Sequence, residues 1–172
     1  MAVGPLGGAA GSLLQFLRLG MAVVALVTED KQLNKDRWVR LALVHDMAER
    51  IVGDIAPADN ISKEEKHQRE EAAMKHLTQL LSGDLRKGIY ELWEEYEPQS
   101  TAEARFVKEL DQCEMILQAS EYEELEKMPG RLQDFSDSTS GKCNHSEVVQ
   151  LVSSINIERN TKIAATASEP HS

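Results

Sequence analysis

The stretch Leu41-Ala-Leu-Val-His45-Asp46-Met-Ala-Glu49-Arg-Ile-Val-Gly53-Asp54-Ile55 places charged side chains at the end of an otherwise apolar helical segment. His45 and Glu49 are four residues apart and share a helix face, and Asp46 lies three residues before Glu49. Asp54 comes just past the helix, where a loop can fold it back. One imidazole and three carboxylates are therefore expected to gather at one helix end.

Two interpretations of this cluster are open on spacing alone. An imidazole with carboxylates suits Mn, Fe, Co, Ni or Zn better than Ca, and a metal held by few protein ligands keeps water that is nucleophilic near neutral pH. Short motifs also arise by chance. In that case His45 donates to a backbone carbonyl, and Glu49 pairs with Arg50 or with a lysine at the surface.

Helical patterns and capping signals continue on both sides of this stretch and predict an all-α fold of about six helices. The N-terminal signals are Asn34 for the helix that carries the cluster, Ser62 with Glu65, Ser100 with Glu103, and Asn144 with Glu147. An apolar segment over residues 13–27 supplies the opening helix. Aromatic residues make up only 5% of the chain, which favours helices over a sandwich or a barrel.

The chain length of 172 residues fits one domain. Composition predicts a disordered N-terminus over residues 1–11, one domain over 12–159, and a disordered tail over 160–172. The apolar run Met21–Val27 is too short to span a bilayer, so no membrane association is expected. We predict a cytoplasmic protein, with an organellar (mitochondrial) leader at the acid-free N-terminus as the alternative.

The charge balance separates two classes of partner. Acidic residues number 29 and basic residues 19, for a net charge of −10, and no cluster of Lys and Arg is present. A protein that grips a nucleic acid polymer through its phosphates usually carries a basic surface, so no such polymer is expected as a partner. A small phosphorylated substrate stays compatible with this charge, because one bound cation dominates the local field.

Four segments carry a resemblance to a known family: Val39–Asp59, Leu92–Tyr96, Phe106–Tyr122 and the ending Ala167–Ser172. Over about residues 12–172 the chain resembles the HD superfamily of metal-dependent phosphohydrolases, and within it the 5′-deoxynucleotidases. The resemblance implies an HD-domain helical bundle that hydrolyses deoxyribonucleoside 5′-monophosphates to deoxynucleoside and phosphate. It also implies a divalent metal cation such as Mn²⁺, Co²⁺ or Mg²⁺.

The resemblance also implies roles for individual residues. The implied metal ligands are His45, Asp46 and Asp111, with Glu49, Asp54 and the backbone carbonyl of Ile55 available to a second metal. Glu49 is the implied base for the attacking water, and Asp54 is the other implied catalytic residue, which would hold a second metal or place the substrate. Without the resemblance, Asp111 alone is interpreted as a solvated carboxylate on the flank of a long helix.

One part of the family pattern is absent. The family carries its first ligand His between the opening helix and the helix that resembles Met21–Val27, with an Arg and a Trp that contact the phosphate. Here Leu19-Gly-Met21 joins the two directly, so the domain is shortened near residue 20, and no His precedes His45. His67 and His76 are expected to be ordinary exposed residues. The alternative function is therefore a catalytically impaired or inactive isoform, acting as a binding or dimerisation partner; a homodimer is left open.

Overall fold

The computed structural model describes residues 8–53 and 60–168, except the side chains of 8–12 and 138–140. Helices and no strands occupy these ranges, which confirms the predicted all-α class. The helices are α1 (Gly8–Leu19), α2 (Met21–Val27), α3 (Lys35–Val44), α4 (Met47–Val52), α5 (Lys63–Gln79), α6 (Gly83–Tyr96), α7 (Ala102–Leu125), α8 (Gln133–Ser140) and α9 (Ser146–Ala167). Within the same ranges, no helix is long and apolar enough to cross a bilayer.

The described residues form nine helices where the sequence predicts about six. Gly20, with φ at +135°, separates α1 from α2, and His45 with Asp46 separates α3 from α4. The third additional helix is α8, between α7 and α9. Helix α1 begins at Gly8 and α9 continues to Ala167, and the predicted disorder of residues 1–11 and 160–172 stays a prediction.

Two predicted helix caps are confirmed. The side chain of Asn34 accepts a hydrogen bond from the backbone N–H of Arg37 at 3.1 Å and caps α3. The Ser62 hydroxyl accepts from the N–H of Glu65 at 3.1 Å and caps α5. Each cap satisfies a backbone donor that the first helical turn leaves unpaired. Because the partners are three residues apart, local sequence suffices to predict them.

The caps predicted for α7 and α9 are each wrong by one residue. Thr101 rather than Ser100 caps α7, since its Oγ1 accepts from the N–H of Ala104 at 3.2 Å. His145 rather than Asn144 precedes α9, and its Nδ1 accepts a hydrogen bond from the backbone N–H two residues on at 3.3 Å. Adjacent polar residues can each cap the unpaired backbone N–H groups of a first helical turn. The path of the chain into the helix determines which of the two residues does so.

The chain divides into two compact units, each considered within the described residues. The central unit is Thr28–Val107, and the terminal unit combines Met1–Val27 with Lys108–Ser172. Helix α7 crosses from one unit into the other after Val107. The single domain predicted over residues 12–159 and its shortening near residue 20 stay predictions.

In the central unit, α3 packs against α6, α6 against α5, and α5 against α4. The rings of Trp38 and Trp93 are at most 2% exposed, and Trp38 meets Phe106 edge-on with ring centroids 3.8 Å apart. Each such ring removes roughly 150–250 Å² from water, which makes these rings dominant in the core. Arg37 donates from Nε to the buried carboxylate of Glu95 at 2.7 Å. These contacts fix α3, whose last residues lead into the candidate site.

In the terminal unit, α1 packs against α2 and α9. Leu14, Leu17 and Ile155 are at most 1% exposed there. A buried ion pair joins α7 to α9, with Arg159 Nε 2.8 Å from Glu123 Oε2 and Arg159 Nη2 2.8 Å from Glu123 Oε1. Paired hydrogen bonds of this kind fix the guanidinium in its plane and compensate both buried charges.

Gly20→Ala is expected to destabilise the protein by about 1–3 kcal/mol, because a φ of +135° is accessible essentially to glycine alone. No atom lies within 4 Å of the added Cβ, so the effect comes from backbone strain. Gly88→Ala is the matched control: it lies inside α6, also in open space, and there alanine should stabilise by roughly 0.5–1 kcal/mol. Urea unfolding followed by circular dichroism measures both, and equal signs for the two variants would contradict this assignment.

Candidate metal centre

His45 and Asp46 occupy the break between α3 and α4. The backbone N–H of His45 still donates to the carbonyl of Leu41 at 2.9 Å, so His45 closes α3. Asp46 has φ −109° and ψ 8° and leaves the helical region before α4 begins. The break places an imidazole and a carboxylate side by side at a helix end, where backbone geometry holds both.

The His45 ring has a defined orientation. Its Nδ1 lies 2.6 Å from the carbonyl oxygen of Ala42, and the ring packs edge-on against Tyr96 with centroids 5.7 Å apart. Because a carbonyl only accepts, Nδ1 donates, and in the neutral ring the lone pair resides on Nε2. A histidine that binds a metal through one nitrogen commonly donates from the other to such a carbonyl.

Asp46 is partly exposed, with 37% of its side chain accessible to solvent. Its Oδ2 accepts from Arg50 Nε at 3.3 Å, one turn later in α4. The Arg50 side chain is 78% exposed, so this pair contributes little to stability. A weak, exposed counter-ion of this kind leaves the carboxylate suited to bind a cation.

Glu49 lies one turn after His45, and 49% of its side chain is exposed. Its Oε1 is 3.4 Å from Nζ of Lys66 in α5, and the same Nζ is 3.4 Å from Oε1 of Glu70. Burial lowers the pKa of the Lys66 ammonium, but the two carboxylates outweigh it and the pKa is raised. Lys66 is therefore a charged bridge between a half-exposed carboxylate and a buried one.

The remaining predicted site residues are Asp111, Asp54 and Ile55. Asp111 belongs to the terminal unit, is 25% exposed, and has Oδ2 3.6 Å from Nζ of Lys108. Asp54 and Ile55 lie outside the described residues. Their predicted roles stay predictions.

The two histidines on α5 are exposed, as predicted. His67 stacks on Trp93 with ring centroids 5.7 Å apart and lies 3.3 Å from a carboxylate oxygen of Glu97. His76 is exposed near the end of the same helix. These contacts account for His67 without a metal.

The described residues offer an incomplete ligand set. In residues 8–53 and 60–168, no group of three or more His, Cys, Asp or Glu side chains is placed to hold a metal ion. His45 fits in donor type and ring orientation, and its chain neighbour Asp46 fits in donor type. Both contacts of the alternative interpretation are also present, since His45 meets a carbonyl and Glu49 a lysine. A histidine that binds a metal commonly makes the same contact with a carbonyl. The contact of His45 with Ala42 is therefore compatible with both the metal-site interpretation and the alternative.

Sequence analysis missed Lys66 and Glu70 as neighbours of the site. Their spacing of four residues on a predicted helix is a signal for an ion pair, but it does not show which partner lies across from them. Only the packing of α5 against α4 places the Lys66 ammonium beside Glu49.

A family model described as "HD domain" matches residues 17–150, which is most of the chain. The chain belongs to the HD domain family. This finding confirms the resemblance drawn from the segments around His45 and Asp111. Members of this family generally bind divalent metals.

Several curated relatives are similar over most of the chain. The 5′-deoxynucleotidase HDDC2 of Homo sapiens is 76% identical over 152 residues, covering 88% of this chain and 74% of the relative. That of Mus musculus is 72% identical over 152 residues, covering 88% and 76%. Among solved structures, HD domain-containing protein YGK1(YGL101W) is similar with a TM-score of 0.62 and 27% identity, over 88% of this chain and 78% of that one.

Proposed function

We propose that this protein is a metal-dependent 5′-deoxynucleotidase, which hydrolyses deoxyribonucleoside 5′-monophosphates to deoxynucleoside and phosphate. The observation that carries the proposal is the oriented ring of His45 beside Asp46 at a helix break, in an HD-domain chain. The activity named for relatives at 72–76% identity supports the choice of substrate. The net charge of −10 argues against a nucleic acid polymer in its place.

The proposed ligands are His45 through Nε2 and Asp46 through its carboxylate, with Asp111 as the third. The assignment of Asp111 rests on the family resemblance and stays a prediction. Glu49, Asp54 and the backbone carbonyl of Ile55 are proposed for a second cation on the same ground. A bound divalent cation supplies a Lewis acid for phosphate oxygens and lowers the pKa of water.

Glu49 is the proposed base. It lies on α4 one turn beyond His45, and its exposed carboxylate is able to take the proton of the attacking water. The water's oxygen bonds to phosphorus as the bond between phosphorus and the 5′ oxygen breaks, and the leaving 5′ oxygen takes a proton from solvent. The side chains contribute by positioning and by charge, which dominate phosphoryl transfer.

The competing function is a catalytically impaired form that acts as a binding or dimerisation partner. Two observations favour it. No histidine precedes His45 in the sequence. In the described part of the chain, no group of three potential ligands is assembled. Since ligand number sets metal affinity, a site with fewer protein ligands should need more metal to reach the same occupancy.

We expect purified protein with Mn²⁺ or Co²⁺ to release inorganic phosphate from deoxyadenosine 5′-monophosphate. EDTA should reduce the release to background, and added metal should restore it, because the chemistry needs the cation. A colorimetric phosphate assay measures the rate. Asp46→Ala protein, prepared identically, sets the background from contaminating phosphatases. A wild-type rate no higher than that background would contradict the proposal and support the impaired form.

A further inference from the structure

Glu70 is a buried carboxylate that the proposed reaction does not use. Its side chain is 3% exposed, and its Oε1 has no hydrogen-bond partner among the described residues. Its ion-pair partner among the described residues is Lys66, whose Nζ lies 3.4 Å from Oε1. Burial raises the pKa of Glu70, and the nearby Glu97 raises it further. A charge in such a place is costly, so its retention calls for an explanation.

Lys66 lies between this buried carboxylate and the proposed base. Its Nζ is 3.4 Å from Glu70 Oε1 on its own helix and 3.4 Å from Glu49 Oε1 on α4. The Lys66 side chain is 38% exposed, against 49% for Glu49. The three side chains therefore lie in a row, with the buried Glu70 at one end, Lys66 in the middle and the half-exposed Glu49 at the other end.

We propose that Lys66, held by the buried carboxylate of Glu70, is a positioning residue that orients Glu49. The inference rests on the proposed function, in which Glu49 takes the proton of the attacking water. Glu49 projects from a helix of only six residues and is half exposed, so its own helix restrains it little. Lys66 supplies the restraint from a helix of seventeen residues, and Glu70 limits the positions that its ammonium adopts.

A purely structural ion pair is the alternative role. Exposed pairs contribute little to stability, and the raised pKa of Glu70 means that its surroundings disfavour the charged form. A structural role therefore predicts that neutralising Glu70 changes stability and activity in the same direction. A positioning role predicts that neutralising Glu70 lowers activity while the stability of the protein is unchanged or increases.

The kinetic test compares Lys66→Met and Glu70→Gln with wild type under saturating Mn²⁺ and over a range of deoxyadenosine 5′-monophosphate concentrations. We expect kcat to fall about tenfold to a hundredfold in Lys66→Met, the range for a displaced catalytic group, and KM to change less than about twofold. Glu70→Gln should show a smaller fall of the same kind. Lys66→Arg keeps the charge and should restore much of kcat.

Matched controls lie on the same helix. Lys75 pairs with Glu71 at 2.7 Å with the same four-residue spacing, and no contact joins it to Glu49 among the described residues. Lys75→Met and Glu71→Gln should keep kcat within about twofold of wild type. Equal losses in Lys66→Met and Lys75→Met would overturn the positioning role.

Thermal unfolding supplies the second measurement. Because the pKa of Glu70 is raised above 4.5 in the folded protein, its charge costs stability fully above the folded pKa and not at all below the unfolded one. Glu70→Gln should therefore unfold at the same or a higher temperature than wild type at pH 7, with the difference vanishing below about pH 4.5. A lower midpoint at pH 7 together with lost activity would assign Glu70 a structural role instead.

The outcomes distinguish this inference from the proposed function. If wild type releases no phosphate above the Asp46→Ala background, the proposed function fails and the positioning role fails with it. If wild type is active and Lys66→Met keeps its kcat, only the positioning role is overturned.

NMR of the side-chain ammonium groups adds a measurement without substrate: Lys66 should be more ordered than the exposed Lys63 and lose that order in Glu70→Gln. Equal mobility of the two lysines in wild type would overturn the proposal.

Discussion

Asp46→Asn is expected to lower kcat/KM for deoxyadenosine 5′-monophosphate by about 10³-fold, the largest effect on activity that we predict. Asparagine has the shape of aspartate but lacks the negative charge that a divalent cation requires. The side chain is partly exposed, and its ion pair is with the exposed Arg50, so stability should change by less than about 0.5 kcal/mol. Steady-state phosphate release and thermal unfolding measure the two quantities.

Asp36→Asn is the control for this substitution. Asp36 is an exposed aspartate in the first turn of α3, on the same helix that leads into the site. Its neutralisation should leave kcat/KM within about twofold, since exposed changes far from a reacting group have little effect. Comparable losses in both variants would point to a general electrostatic effect and contradict a ligand role for Asp46.

Arg159→Met should destabilise the protein by about 3–5 kcal/mol, the largest effect on stability that we expect. The Arg159 and Glu123 side chains are 5% and 3% exposed, and two hydrogen bonds of 2.8 Å join them. Methionine keeps the volume of the stem but leaves the Glu123 carboxylate buried without its counter-ion. Chemical denaturation followed by circular dichroism measures the change in the free energy of unfolding.

The effect of Arg159→Met should also depend on pH. The hydrogen bonds from Arg159 hold the pKa of Glu123 below its ordinary value of 4.5. A carboxyl group with a lowered folded pKa stabilises the protein above the unfolded pKa, and this contribution is lost as pH falls through the folded pKa. The difference between wild type and Arg159→Met should therefore be full at pH 7 and shrink below about pH 4.5.

Lys162→Met provides the matched comparison for the buried pair. Lys162 on α9 pairs with Glu124 on α7 at 2.6 Å, but both side chains are exposed, at 44% and 58%. Its loss should change the free energy of unfolding far less than the loss of Arg159, because solvent screens an exposed pair. If Lys162→Met and Arg159→Met destabilise equally, burial does not account for the strength of the Glu123–Arg159 pair.

Local sequence was sufficient for the helical class and for two of the caps. The Asn34 and Ser62 side chains each bond to an N–H three residues away, so no distant contact is needed to form them. The position of the HD motif was equally accessible, since His45 and Asp46 are neighbours in the chain. Their roles, and those of Glu49, Asp54, Ile55 and Asp111, remain predictions for the kinetic experiments to test.

Tertiary structure decided the features that join residues distant in sequence. Periodicity alone did not predict the break at His45–Asp46, because the apolar pattern continues from α3 into α4 and packing against α6 and α5 directs the two helices separately. Lys66 meets Glu49 only because α5 packs on α4. Sequence determined which side chains are able to ionise. Burial and neighbouring charges determined the free-energy cost of ionising them, as the raised pKa of Glu70 shows.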